Sequence, residues 1–378
     1  MYRIATFLIL AALAVEPARA LSCGDGLTAE NITPTTNPSS WGPTVGGYAS
    51  ASGTWTDLTG EALEITGSTS ACLVGGVYDG GLTPTKEPRT FYHCETAHGW
   101  DGLEPCYPYH GSGSPAGLAP NNGFETILEH VLVKNQGDCG SAKAGGADMT
   151  VDRSWLQRCF DDAVEADFCG VESTVVVDSF LDDVNHAFAF DLRDGQAPCE
   201  SQRTAYIVGN HGTLHRFAHN FEEDYGHGGI FKKDNHGENP SLTYQGNVFV
   251  LGPVSGENQV QVPEPAWFAD PSQCAGNVYL WIGTPEDRDA MLATGNNGAS
   301  LAALPAGCVT IVTKGASEGE GAFLQRDLPE LGGISYADLH TAWQAEHFPT
   351  QPPPTGGCGI GPELAFALPL LLAFRRRT

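Results

Sequence analysis

Three stretches decide the fold. Val131-Leu132-Val133-Lys134-Asn135-Gln136-Gly137-Asp138 aligns with Ser154-Trp155-Leu156-Gln157-Arg158-Cys159-Phe160-Asp161, 23 residues later. Both align with Ser179-Phe180-Leu181-Asp182-Asp183-Val184-Asn185-His186, 25 residues further on. A fourth match, Asn220-Phe221-Glu222-Glu223-Asp224-Tyr225-Gly226-His227, follows 41 residues later and implies an inserted loop. Gly246-Asn247-Val248-Phe249-Val250 opens a fifth copy. Ala62-Leu63-Glu64-Ile65-Thr66-Gly67 and Cys72-Leu73-Val74-Gly75-Gly76-Val77-Tyr78-Asp79 read as an earlier coil. Within the copies, Val175/Val177, Leu242/Tyr244 and Val248/Val250 alternate with period two, as do Val278/Leu280/Ile282 and Val309/Ile311 further on. That is the pattern of strands with one buried face. Repeats this short cannot bury an apolar face singly and must stack, about 4.8 Å per rung.

Composition agrees. Of 378 residues, 47 are Gly and 25 are Pro, which disfavours a helical bundle as the main body. The 45 acidic against 19 basic side chains give a net charge of -26, which repels phosphate backbones and excludes nucleic-acid binding by charge. An acidic surface suits neutral or cationic partners, or divalent cations.

The ends read as addresses. Arg3, the apolar run 4–15 and Ala18-Arg19-Ala20 form a secretory signal. At the other end, Gln351-Pro352-Pro353-Pro354 is a stiff spacer before Cys358, an apolar run over 364–374 and Arg375-Arg376-Arg377. This tail resembles the Cys, apolar helix and Arg-cluster sorting signals of myxobacterial and related surface proteins. The resemblance implies anchoring of the chain to the outer membrane through Cys358. Ten further cysteines in an exported chain imply disulfides, with Cys94–Cys106 and Cys159–Cys169 as plausible local pairs.

The segments Arg153-Ser154-Trp155-Leu156, Asp161-Asp162-Ala163-Val164 and Val177-Asp178-Ser179-Phe180-Leu181-Asp182 resemble coils of the pectate lyase-like superfamily. The resemblance implies an all-β, single-stranded right-handed parallel β-helix with long loops. The alternative for such strands is an antiparallel β-sandwich. The expected organisation is a signal peptide at 1–20, a lead-in at 21–60, the β-helix at 61–315 and a capping segment at 316–348. A linker at 349–357 and the sorting signal at 358–378 follow. Within the capping segment, Ser335 caps a short helix from Tyr336 to Trp343.

The alignment puts Asp138, Asp161, His186 and His227 in one column, flanked by Asp162, Asp183 and Asn185. Carboxylates on one face serve as acid and base in glycoside cleavage, and a carboxylate orients an imidazole or binds a cation. Asp161-Asp162 is similar to the Asp-Asp step of polygalacturonases, and His211-Gly212 or His227-Gly228 to their His-Gly. Phe160 stands where that family has Gly, and its Arg-Ile-Lys is absent. The expected catalytic set is Asp161, Asp162, His186 and His227. Asp138 and Asp183 are the expected metal ligands, with Ca²⁺ as the cofactor an acidic polymer would require. Trp100, Tyr107 and Tyr109, in a Gly/Pro-rich loop, and Lys232 and Lys233 are the expected substrate contacts. His215 and His219 lack the Glu of a zinc peptidase helix.

These readings converge on an exported, surface-anchored monomer that binds an extracellular polysaccharide and, if an enzyme, cleaves it by hydrolysis or elimination. The alternative is a non-catalytic adhesin or structural solenoid.

Overall fold

The computed structural model describes the backbone of short strands between residues 29 and 121. From 126 to 348 it describes all but residues 137, 142–147, 160–161, 167–168, 170, 191–198, 200–201, 215–228, 233–238 and 253–259. Its strands form three sheets of nine, six and nine strands, here called A, B and C, and every pairing within them is parallel. A β-sandwich would pair its strands antiparallel, so that alternative is excluded.

The central coils contribute one strand to each wall. Met149–Asp152 lies in sheet A, Trp155–Cys159 in C and Asp162–Glu165 in B. The next coil repeats the order with Ser173–Val177, Phe180–Val184 and His186–Ala189. Successive coils stack in register, with Val151 opposite Val176, Trp155 opposite Phe180 and Asp162 opposite His186. This is a parallel β solenoid.

Its core is built from columns. Leu128, Val151, Val176, Ile207 and Tyr244 succeed one another along sheet A. Val133, Leu156, Leu181, Gly212, Phe249 and Tyr279 do so along sheet C. Val164, Phe188 and Phe231 do so along sheet B. All of these apolar side chains are buried. Every coil therefore supplies the apolar neighbours that its own short strands lack. In the sheet C column, Gly212 leaves room for its neighbours. A Cβ there would lie 2.3 Å from the Leu181 carbonyl oxygen and 3.1 Å from the Phe249 ring.

The corner from sheet A to sheet C repeats a two-residue device. His130, Arg153 and Asp178 adopt left-handed backbone, and Gly209, Gly246 and Gly276 do the same on later coils. The residue that follows each is Val131, Ser154, Ser179, Asn210, Asn247 or Asn277. From Ser154 onward these side chains form a buried ladder. The Ser154 amide donates to Ser179 Oγ at 3.1 Å, and the Ser179 amide to Asn210 Oδ1 at 2.9 Å. Asn210 and Asn247 continue it through Asn247 Oδ1 at 3.0 Å and Asn277 Oδ1 at 3.1 Å. The tight corner turns backbone amides away from the sheets, and the ladder supplies acceptors for them.

The structure revises three readings of the sequence. Asn210-His211, not Asn220-Phe221, is the copy after Ser179-Phe180. His211 stacks on Phe180 with ring centroids 4.7 Å apart, so an imidazole fills a place where the alignment sought an aromatic hydrocarbon. Cys159 bonds Cys139 rather than Cys169, and Cys169 bonds Cys199. Cys139 and Cys159 lie on neighbouring coils, so stacking rather than chain proximity pairs them. Cys274–Cys308 is the third disulfide among the described residues, and Cys94–Cys106 lies outside them. The third revision is the site register, described below. Disulfides fit an oxidising, extracellular compartment. Among the described residues, no helix is long and apolar enough to cross a membrane. The expected signal at 1–20 and tail at 358–378 lie outside the described residues.

Towards the C-terminus the helices Pro285–Ala293 and Asn297–Ala303 precede the last strand of sheet C, Val309–Thr313. Asn297 Oδ1 accepts from the Gln261 and Val262 amides. Ser335 caps the helix Tyr336–His347, its hydroxyl accepting from the Asp338 amide, as the sequence implied. This segment packs on the outer face of sheet C, where Phe323, Leu328 and Tyr336 meet Val248, Val250, Val278, Leu280 and Ile282.

Candidate functional site

The candidate residues gather where strands of sheet B begin. Asp162 is the first residue of its strand and His186 the first of the next, and they pair directly. His186 in turn pairs with Gly229, the start of Gly229–Lys232. Asp138 heads the preceding strand, and its Oδ1 accepts from the Asp162 amide at 3.3 Å. The column therefore runs Asp138, Asp162, His186, Gly229, in place of the expected Asp138, Asp161, His186, His227. Asp138 follows the strand Leu132–Gln136 by two positions, whereas Asp162 follows the paired strand Trp155–Cys159 by three. That extra residue moves the register by one, and a one-residue slip exchanges inward and outward positions.

Asp162 is the hub. Its Oδ1 lies 3.1 Å from His186 Nδ1, and its Oδ2 accepts from Lys232 Nζ at 3.2 Å. The carboxylate side chain is 1% exposed, the imidazole 4% and the lysine 26%. A buried carboxylate is sustainable only when paired, and the ammonium and imidazole supply that pairing. Lys232, expected as a substrate contact, thus reaches back to the column. Asp183 lies on another wall, in sheet C, with left-handed backbone, and its amide donates to Thr213 Oγ1 at 2.8 Å. Among the described residues, no three His, Cys, Asp or Glu side chains are grouped to hold a metal ion. Asp161, His227, Lys233, Trp100, Tyr107, Tyr109 and Cys358 lie outside the described residues.

A second polar cluster escaped the sequence reading. His211 sits on the outer face of sheet C beneath the helix Tyr336–His347, together with His340 and Trp343. Burial, reinforced by His340 and His347, holds the His211 imidazole down to a pKa of about 3. Burial also lowers His340, against the pull of Asp182. The signal in the sequence was the spacing Tyr336, His340, Trp343 and His347, one face of a helix. The Gly-Asn pairs 209–210, 246–247 and 276–277 were an equally plain signal of the corner ladder.

Chemically, a carboxylate–imidazole pair can orient and move a proton. For glycoside cleavage its atoms must come within about 3 Å of the scissile oxygen, directly or through a water. Asp162 and His186 are both buried, so the pair joins coils rather than opening on a groove. Fold and site together define a parallel β solenoid tied internally by a carboxylate, an imidazole and an ammonium. Comparison with family models, curated proteins and solved structures finds no match to this chain.

Proposed function

We propose that this chain is an exported, right-handed parallel β-helix, held at the cell surface through its Cys358 tail. In this reading it acts as a non-catalytic adhesin or spacer toward a neutral extracellular polysaccharide. The observation that carries the reading is the burial of Asp162 and His186. Catalysis needs these groups at a surface, whereas a tie between coils needs them inside. The three disulfides among the described residues, the apolar run 4–15 with Ala18-Arg19-Ala20 after it and the Cys358-to-Arg377 tail support export and anchoring. The net charge of -26 supports a neutral partner, because a uronate polymer would be repelled unless Ca²⁺ bridged the two.

A second reading, polysaccharide cleavage, is favoured by one observation. Lys232 keeps part of its side chain exposed while its ammonium touches Asp162, so a proton donor and a buried carboxylate adjoin at one edge. Incubation of the full chain with neutral and uronate polysaccharides, with and without Ca²⁺, separates the two. The adhesin reading expects binding without new reducing ends or unsaturated products. It also expects Asp162→Asn to leave binding unchanged. Product release that Asp162→Asn abolishes would overturn it.

A further inference from the structure

The outer face of sheet C carries a ring ladder one coil apart. Trp155 and Phe180 have centroids 5.4 Å apart, and Phe180 and His211 stack at 4.7 Å with an interplanar angle of 22°. The helix Tyr336–His347 lies over it. His340 sits 4.1 Å from the Phe180 ring, and Trp343 meets His211 edge-on at 5.2 Å. One direct hydrogen bond, Trp343 Nε1 to the Asp178 carbonyl at 2.8 Å, pins the helix to the corner. The other polar atoms in the seam fare worse. His211 Nε2, His340 Nδ1, the Tyr336 hydroxyl and Trp155 Nε1 are buried with no hydrogen-bond partner among the described residues. A neutral imidazole at buried His211 tolerates such a seam, but an imidazolium there does not, because it would be a charge cut off from water beside two further histidines.

We propose that the helix Tyr336–His347 is an acid-released cover over the Trp155–Phe180–His211 ladder, undocked when His211 and His340 take up protons.

The charged and titratable neighbours of the seam among the described residues can be placed. From sheet C comes Asp182, whose carboxylate accepts from Gln157 Nε2 at 2.7 Å and Thr213 Oγ1 at 3.2 Å. It favours a proton on His340, yet burial outweighs it. From the corner come Asp178, 3.3 Å from His347 Nε2, and His130 with Glu129, Asp152 and Arg153 around it. His130 faces His347 at 5.6 Å and is lowered by burial and then by Arg153. The helix itself brings Tyr336, Asp338, which is bonded to Ser335, Glu346 and His347. The His347–Asp178 pair also holds the helix to the corner. Asp178 is 53% exposed, so solvent screens that pair. His211 and His340 have centroids 5.7 Å apart, and two charges at that distance repel while the helix is docked. Undocked, each imidazole regains water and its ordinary affinity for protons. Protons therefore bind the open form more tightly and shift the equilibrium toward it.

Amide exchange on the full chain, from about pH 7 to about pH 4.5, tests this. The expected result is a fall of about tenfold or more in the protection factors of the Tyr336–His347 amides. The strands Ser173–Val177, Thr204–Val208 and Ser241–Gln245 should keep their protection. The double variant His211→Phe/His340→Phe should keep its helix docked in acid. Retained helix protection in the wild type would overturn the proposal. So would loss of strand and helix protection together, or an unchanged acid response in the double variant. If that variant does not fold, the wild-type pattern alone decides.

Discussion

His186 Nδ1 lies 3.1 Å from Asp162 Oδ1, one coil away, while the other oxygen of the same carboxylate holds Lys232 from the following coil at 3.2 Å. One buried side chain thus links three successive turns of the solenoid. Asp162→Ala removes the shared partner and leaves an ammonium and an imidazole with less compensation. The expected cost is about 3–5 kcal/mol, read from urea unfolding. Lys232→Met should cost less, about 2–3 kcal/mol, because the buried carboxylate it leaves behind still faces His186.

The corner ladder makes a second prediction. Asn247 accepts from Asn210 and donates to the Ile207 carbonyl at 3.0 Å and to Asn277 at 2.8 Å. Asn247→Ala takes the acceptor from the Asn210 amide and a donor from the Ile207 carbonyl, both buried on the preceding coil, and should cost about 2–3 kcal/mol. An exposed control, Ser317→Ala, should change the unfolding midpoint little.

Two glycines should behave oppositely. A Cβ at Gly212 meets the Leu181 carbonyl oxygen at 2.3 Å, a contact with backbone that no side-chain rotation relieves. Gly212→Ala should destabilise the chain by about 2 kcal/mol or more, or abolish soluble expression. At Gly140 the nearest atoms stand 3.7 Å from the same Cβ, an ordinary contact. Gly140→Ala should therefore be neutral or slightly stabilising in a thermal melt.

Acid should weaken the protein through His211. Its imidazole binds a proton at about pH 3 in the folded protein against 6.5 when exposed. Between those values the unfolded or undocked form binds more protons, so stability is complete above about pH 6.5 and is lost as pH falls toward about 3. The loss approaches about 1.4 kcal/mol per pH unit for one such histidine. Thermal melts should show this slope in the wild type and a flatter one in His211→Phe.

Reduction supplies the last prediction. Cys139–Cys159 and Cys274–Cys308 close loops spanning 20 and 34 residues. Removing either pair should cost about 3–4 kcal/mol by chain entropy, seen as a lower melting temperature in dithiothreitol.

The register of Leu132, Trp155 and Phe180 was legible because these three coils differ only slightly in length and carry an apolar or aromatic residue at the same place. Legibility ended at His211, where an imidazole takes over the aromatic stack and the repeat lengthens from 25 to 31 residues. The site was half-legible. Asp162, His186, Asp138 and Lys232 do come together, but the alignment had put Asp161 in the column, because a corner can absorb one residue without disturbing the strands on either side.

By itself, the amino-acid order determined that short strands must stack, since no copy carries enough apolar surface to bury alone. It also determined the start of the C-terminal helix, because capping depends only on the neighbours of Ser335. Which cysteines join, which aspartate faces His186 and where the helix lies were decided only in three dimensions. Each depends on how many residues a corner consumes and on contacts between positions distant in the chain. No local pattern encodes either.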